Sequence, residues 1–164
     1  MRTNKLLASI LSVVLSFTLV ACGGTSSNLP EGLDLIPLGD QLLSDLDWAD
    51  DLAPLDQTMQ PNYFYQADFE DVSNSEIYVG GGFIAEEIIL LEAVDSEAAD
   101  RLEAALNEHY DYLSDSFGNY TPEELENIEE PAIVRSGNYV FGVISQDNDA
   151  AESLMNAWTE EHSE

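Results

Sequence analysis

The chain has 164 residues, of which 33 are acidic and four are basic, giving a formal net charge of −29 at pH 7. Proteins that bind nucleic acid need lysine and arginine to neutralise phosphates, so this composition excludes that class of partner. The same charge would repel anionic lipid head groups, so the protein surface itself is not expected to bind to a membrane.

The N-terminus has the features of an export signal. Arg2 and Lys5 precede an apolar run from Leu6 to Val20, which is shorter than the ~20 residues needed to span a bilayer. The run ends in Leu19-Val20-Ala21-Cys22, which resembles the bacterial lipobox. The resemblance implies that the Cys22 thiol receives a diacylglyceryl group and that a peptidase cuts between Ala21 and Cys22. The alternative is an ordinary signal peptide that contains a cysteine near its end.

This assignment divides the chain into a lipoprotein signal peptide (residues 1–21), a flexible tether (22–30) and a single domain (31–164). Cys22 is the only cysteine, so no intramolecular disulfide can form, and lipidation explains an unpaired thiol in an exported protein. After cleavage only Arg101 and Arg135 remain against the 33 carboxylates, a formal charge of −31. We therefore expect the protein at the extracytoplasmic face of the cell membrane, held there by lipid on Cys22.

The first half of the domain predicts one helix and two strands. Leucines at helical spacing indicate a short amphipathic helix between Leu33 and Asp51. The aromatic cluster at residues 62–65 is expected to be buried against the sheet rather than to form a binding surface. Strands are predicted at Glu76–Val79 and Phe83–Val94, with apolar residues on both faces of the second strand, and Gly80-Gly81-Gly82 is expected to form a turn or bulge.

The second half predicts a long helix, a short helix, a hairpin and a last helix. Asp95-Ser96 supplies an N-cap for a helix that runs to about Phe117. Thr121-Pro122-Glu123-Glu124 has the pattern of a capping box, which predicts a short helix to about Glu130. A hairpin at 132–144 turns at Ser136 to Asn138, and a helix at about 150–160 follows. The fold class is therefore α+β: an antiparallel sheet of about four strands, in the order ββαββα, with helices mainly on one face and a short N-terminal helix before it.

No residue pattern indicates an active site or a metal centre, so we expect no enzyme activity and no cofactor. His109 is expected on the helix surface or partly buried, and His162 in a frayed acidic tail, and no second histidine stands at metal-ligand spacing from either. The acidic runs at 45–51 and 147–149 superficially resemble calcium loops, but they lack the glycine and the closing glutamate of an EF-hand. Weak binding of divalent cations is the most that these runs predict.

Three segments resemble a known family. They are Glu87-Ile-Ile-Leu-Leu-Glu-Ala, Tyr120-Thr-Pro-Glu-Glu and Ser136-Gly-Asn-Tyr-Val-Phe-Gly-Val-Ile-Ser-Gln-Asp. The stretch from about Tyr63 to Trp158 is similar to the domain-of-unknown-function 4358 family, small lipoproteins from Gram-positive anaerobes. Members of that family typically carry more lysines. The resemblance implies a tethered domain and supplies no activity, because none is assigned to the family.

Three hypotheses for the function follow. The favoured one is a lipid-anchored binding module, without catalysis, whose partner is a protein at the membrane or cell wall. The alternative, motivated by the charge, is an acidic surface protein that binds divalent cations or buffers ions. A hydrolase that uses a serine or paired carboxylates is less favoured, because it needs a cleft that the sequence does not indicate.

Overall fold

The computed structural model describes residues 29–163. Ala21 and Cys22, the predicted cleavage and lipidation sites, lie outside the described residues. The helices are α1 (Ile36–Asp45), α2 (Gln60–Tyr63), α3 (Ser96–Phe117), α4 (Leu125–Glu129) and α5 (Asn148–His162). The strands are β1 (Ala53–Pro54), β2 (Val72–Val79), β3 (Glu87–Ala93), β4 (Ala132–Ser136) and β5 (Tyr139–Ile144). Short 3₁₀ turns at Phe69–Asp71 and Pro122–Glu124 precede β2 and α4.

The strands form one antiparallel sheet in the order β1-β2-β3-β5-β4. This confirms the α+β class, both hairpins and the N-terminal helix, with five strands instead of about four. The additional strand, β1, consists of two residues that pair with the end of β2 at Val79 and Tyr78. The centre of the sheet is β3, which lies between β2 and β5 and is buried along its whole length.

Helices cover both faces of this sheet, so the expectation that they lie mainly on one face is wrong. Ile89 and Leu91 of β3 belong to a core shared with α3, whereas Ile88 and Leu90 belong to a second core shared with α1 and α5. The physical reason is the strand period of two, which sends successive apolar side chains of β3 to opposite faces. Each face must therefore be covered by its own helix layer.

The long helix α3 follows the sequence prediction closely. The Asp95 side chain accepts a hydrogen bond from Ala98 N, so the N-cap is confirmed, and the helix ends at Phe117 as expected. Its apolar stripe lies directly on the sheet at Gly142 of β5. A Cβ atom at Gly142 would lie 2.6 Å from Leu106 Cδ2 and would meet the Tyr110 hydroxyl, so the close approach of helix and strand depends on glycine.

Several predicted boundaries differ from the structure. The helix α1 is shorter than Leu33–Asp51, β2 begins four residues earlier than predicted, and β3 begins at Glu87 rather than at Phe83. Thr121 does not cap the following helix with its side chain; a 3₁₀ turn opens that helix instead. His162 is not frayed, because it lies within α5 and its ring stacks on Trp158 with centroids 4.2 Å apart.

The described chain begins at the end of the sheet where β3 finishes. Gly32 N donates to Glu92 Oε1 at 2.7 Å, and the Tyr139 hydroxyl donates to Pro30 O at 2.7 Å and lies 3.1 Å from Leu33 N. Residues 30–33 therefore lie beside the turn between β4 and β5. We call this end of the sheet the tether end. Among residues 29–163, no helix has the length and apolar character required to cross a membrane.

Candidate functional site

A groove lies at the opposite end of the sheet, between the β2–β3 loop and the C-terminal part of α3. It consists of an outer hollow of about 420 Å³ and an inner hollow of about 230 Å³. The two hollows share Gly82, Ser116 and Phe117, so they form one continuous depression, which we call the aromatic groove. Its other lining residues are Phe83, Tyr120 and Thr121 outside, and Tyr63, Val79, Gly80, Ile84, Ala85, Glu86, Tyr112 and Leu113 inside.

Large aromatic side chains are exposed at the mouth of this groove. Phe83 is 85% exposed and Tyr120 is 87% exposed, while Tyr112 is 48% exposed and packs edge-on against Tyr65 with ring centroids 5.7 Å apart. Exposed apolar side chains that converge on one depression mark a binding surface more strongly than the same residues scattered singly. The arrangement suits the docking of a partner segment.

Carboxylates hold the β2–β3 loop that forms one wall of the groove. Asp50 Oδ2 accepts from Gly81 N at 2.6 Å, and Glu124 Oε2 accepts from Ala85 N at 3.3 Å. The glycine triplet lies in the loop between β2 and β3, and Gly82 has φ +82°, a backbone conformation that L side chains rarely adopt. Negative charge is therefore built into the groove wall.

Beneath the groove, three side chains form a buried polar cluster: Tyr63, Glu87 and His109. His109 Nε2 lies 3.0 Å from Glu87 Oε1 and 3.2 Å from Oε2, and the Tyr63 hydroxyl donates to Oε2 of the same carboxylate. The side chain of Glu87 is fully buried, and that of His109 is 3% exposed. His109 Nδ1 lies 3.3 Å from Gln66 Oε1, so each ring nitrogen has a side-chain amide or carboxylate within hydrogen-bond distance.

Burial raises the pKa of two phenols in this region, those of Tyr63 in the cluster and of Tyr110 beside it. Burial first, and then the charge of Glu87, raise the pKa of Tyr63, so its hydroxyl remains a hydrogen-bond donor at ordinary pH. Burial likewise raises the pKa of Tyr110 well above its usual value, and its hydroxyl has no hydrogen-bond partner. Glu87 and His109 have almost no exposed surface, so this cluster lacks the substrate access that a general acid or base requires. Only Tyr63 reaches the inner hollow of the groove.

The sequence expectations for His109 and for residues 62–65 are corrected in part by this geometry. His109 is not at the helix surface but is buried, with 2% of its area exposed. Phe64 is buried as expected, whereas Tyr63 is half-buried and Tyr65 is 57% exposed. Sequence reasoning did not identify the aromatic groove or the cluster.

The acidic run at 147–149 lies in a polar hollow, together with Glu126 and Glu130. Asp147 caps α5 by accepting a hydrogen bond from Ala150 N at 2.9 Å, which gives it a structural role. Within residues 29–163, no group of three or more histidine, cysteine or acidic side chains is arranged to hold a metal ion.

A family model described as "Domain of unknown function (DUF4358)" matches residues 45–145. The chain belongs to the DUF4358 family. The matched DUF4358 region contains every residue that lines the aromatic groove and all three members of the buried cluster. It leaves out α5 and nearly all of α1, the two helices that cover the face of the sheet opposite α3. No curated protein and no solved structure matches this DUF4358 chain.

Proposed function

We propose that this chain is a lipid-anchored extracytoplasmic module that binds a segment of another cell-surface protein in the aromatic groove, without catalysis. The observation that carries the proposal is the exposure of Phe83 and Tyr120 at one continuous groove. Solvent-exposed aromatic rings are favoured at protein interfaces, where they supply contact area at a low cost in side-chain entropy.

The position of the groove in the fold supports the same proposal. The chain that would lead to a lipid on Cys22 leaves the domain beside Glu92, whereas the groove lies beyond Glu87 at the other end of β3. These two glutamates are five residues apart on a strand, a separation of roughly 17 Å. An anchored domain with this layout presents its groove away from the membrane, towards partners at the cell surface.

The anchor is tested by Cys22→Ser in the full-length chain, with Ser26→Ala as the control in the same segment. We expect the Cys22→Ser protein to be released into the medium or to remain uncleaved, while the control stays processed and fractionates with membranes. A processed, membrane-bound Cys22→Ser protein would contradict lipid anchoring.

The binding surface is tested in intact cells with a photoreactive phenylalanine analogue placed at Phe83 or Tyr120. Controls carry the same analogue at Val94 and Ile36, which are 52% and 47% exposed and lie near the tether end. We expect a crosslinked product of defined mass from both groove positions and none from the controls. Equal crosslinking at all four positions, or none at any, would count against a binding role for the groove.

A further inference from the structure

We infer that the aromatic groove accepts a positively charged, extended segment of its partner, with an apolar side chain in the inner hollow and a lysine or arginine at the rim. This inference rests on the proposed binding function and names the chemistry of the occupant. It is carried by the distribution of charge between the two ends of the sheet.

Both arginines of the described chain lie at the tether end. Arg101 is paired with Asp71 at 2.6 Å, just before β2 begins, and Arg135 is paired with Asp100 at 3.1 Å in the first turns of α3. Arg135 also donates to Gly137 O in the turn between β4 and β5. Neither arginine is therefore placed to offset negative charge at the groove.

Within residues 29–163, the charged residues that stand next to the groove lining in the sequence are aspartates and glutamates. Glu124 contacts the wall at Ala85 and Asp50 contacts it at Gly81, while Asp115 and Glu123 are exposed beside the lining residues. A groove with this field attracts cationic segments and repels acidic ones, which favours the first class of partner both in encounter and in affinity.

The exposed aromatic rings are a second reason, independent of the carboxylates, for the groove to prefer a cationic side chain. Phe83 and Tyr120 stand at the mouth of the outer hollow with most of their surface free. The face of an aromatic ring attracts an ammonium or guanidinium group, with about 0.5–1 kcal/mol gained at exposed sites. Carboxylates and aromatic faces at one rim therefore favour the same type of side chain.

The inner hollow accepts the apolar part of the segment. Its wall includes Tyr63, Ile84, Leu113 and Phe117, and its volume of about 230 Å³ exceeds the ~150 Å³ of an apolar cavity that holds benzene. One leucine or phenylalanine side chain fits this space. A segment in which an apolar residue is flanked by basic residues therefore matches both parts of the groove.

The inference is tested with three blocked peptides and the full-length chain purified in a nonionic detergent. The probes are Gly-Lys-Phe-Lys-Gly and its counterparts with serine or glutamate in place of both lysines, and binding is followed by fluorescence anisotropy. We expect the lysine peptide to bind at least about fivefold more tightly than the serine peptide in low salt, and the glutamate peptide to bind least. Equal or tighter binding of the serine or glutamate peptide would overturn the inference.

Four variants separate binding in the groove from general attraction to an acidic protein. Phe83→Ala removes an exposed ring, and Glu124→Gln removes a charge while keeping an oxygen acceptor for Ala85 N. Each should weaken binding of the lysine peptide by about two- to fivefold. The matched controls Val94→Ala and Glu160→Gln, on exposed sites away from the groove, should leave it unchanged. Equal effects of groove and control variants would identify nonspecific attraction and overturn the inference.

The two proposals fail in different ways. Groove-dependent crosslinking in cells together with a preference for the serine or glutamate peptide would retain the binding function and reject a basic occupant. Equal crosslinking from the groove positions and the control positions would reject the binding function, whichever peptide binds most tightly.

Discussion

The replacement His109→Phe is expected to destabilise the fold strongly. In the native structure the fully buried Glu87 carboxylate contacts His109 at 3.0 and 3.2 Å and accepts a hydrogen bond from Tyr63. Phenylalanine retains a ring between Phe64 and Tyr63, but it leaves Glu87 with a single partner. Removing one partner of a buried hydrogen bond costs about 1–3 kcal/mol, and more where the group left unsatisfied is a carboxylate.

Further variants separate the loss of hydrogen bonds from the loss of packing. Tyr63→Phe removes one hydrogen bond to the same carboxylate and should cost only about 1 kcal/mol, since His109 remains. The double variant Glu87→Leu with His109→Phe removes both buried polar groups and should recover most of the stability, because apolar replacement of both partners of a buried hydrogen bond is close to neutral. When the single variant Glu87→Leu is measured as well, the coupling between residues 87 and 109 should be at least about 1 kcal/mol.

These free energies are measured by urea unfolding of the full-length chain in a nonionic detergent at pH 7. The melting temperature gives a second measure: for a domain of this size a loss of ~3 kcal/mol lowers Tm by roughly 6–12 °C. The reasoning is refuted if His109→Phe changes the free energy of unfolding by less than about 1 kcal/mol. It is also refuted if the double variant loses the sum of the two single losses.

Three other substitutions have defined outcomes. Gly142→Ala brings a Cβ against the Tyr110 hydroxyl and should cost about 1–3 kcal/mol in urea unfolding. Adding Tyr110→Phe should recover part of this loss, and no recovery would show that the contact with Leu106 dominates. Tyr139→Phe loses the bond to Pro30 and should cost about 1 kcal/mol. Because burial chiefly raises the Tyr139 pKa from 10.0 to about 12, its contribution is complete below pH 10 and is lost as pH rises towards 12. Tyr63 and Tyr110 also have raised pKa values and remain in the variant, so a pH series should show a larger loss of stability in the native chain than in Tyr139→Phe. Burial and then the charges of Asp34 and Asp40 raise the Glu76 pKa. Glu76→Gln should therefore stabilise the fold at pH 7 by up to about 0.5 kcal/mol, and by less in high salt. Destabilisation by this substitution would contradict the reasoning.

The elements that the sequence predicts correctly are those specified by local signals. The helix α3 has a capping aspartate and an apolar stripe, and the hairpin at 132–144 has a glycine turn between two apolar runs. The strand β1 has no such signal, because two residues pair with β2 only after the chain between them is folded. Coverage of both sheet faces was predictable from the alternating apolar residues at 88–91, which demand helices on each side.

The sequence indicates the buried cluster less clearly than it indicates α3 and the hairpin. Glu87 shares a strand face with Ile89 and Leu91, and His109 falls three residues after Leu106 and four before Leu113, within the apolar face of α3. A polar, titratable residue on each of two apolar faces indicates that the two side chains meet. The groove left no comparable pattern, since Phe83 and Tyr120 lie in separate loops that only the tertiary fold brings together.

Tyr63 connects the buried cluster to the aromatic groove. The variants at Glu87 and His109 should therefore affect peptide binding as well as stability. Its ring lines the inner hollow while its hydroxyl is held by Glu87. In the double variant Glu87→Leu with His109→Phe the apolar pair restores stability, but Tyr63 loses its acceptor and the groove wall loses its fixed position. We therefore expect this variant to unfold nearly as the native chain does and yet to bind the lysine peptide several-fold more weakly. Native affinity in a stable double variant would show that ring packing alone positions Tyr63.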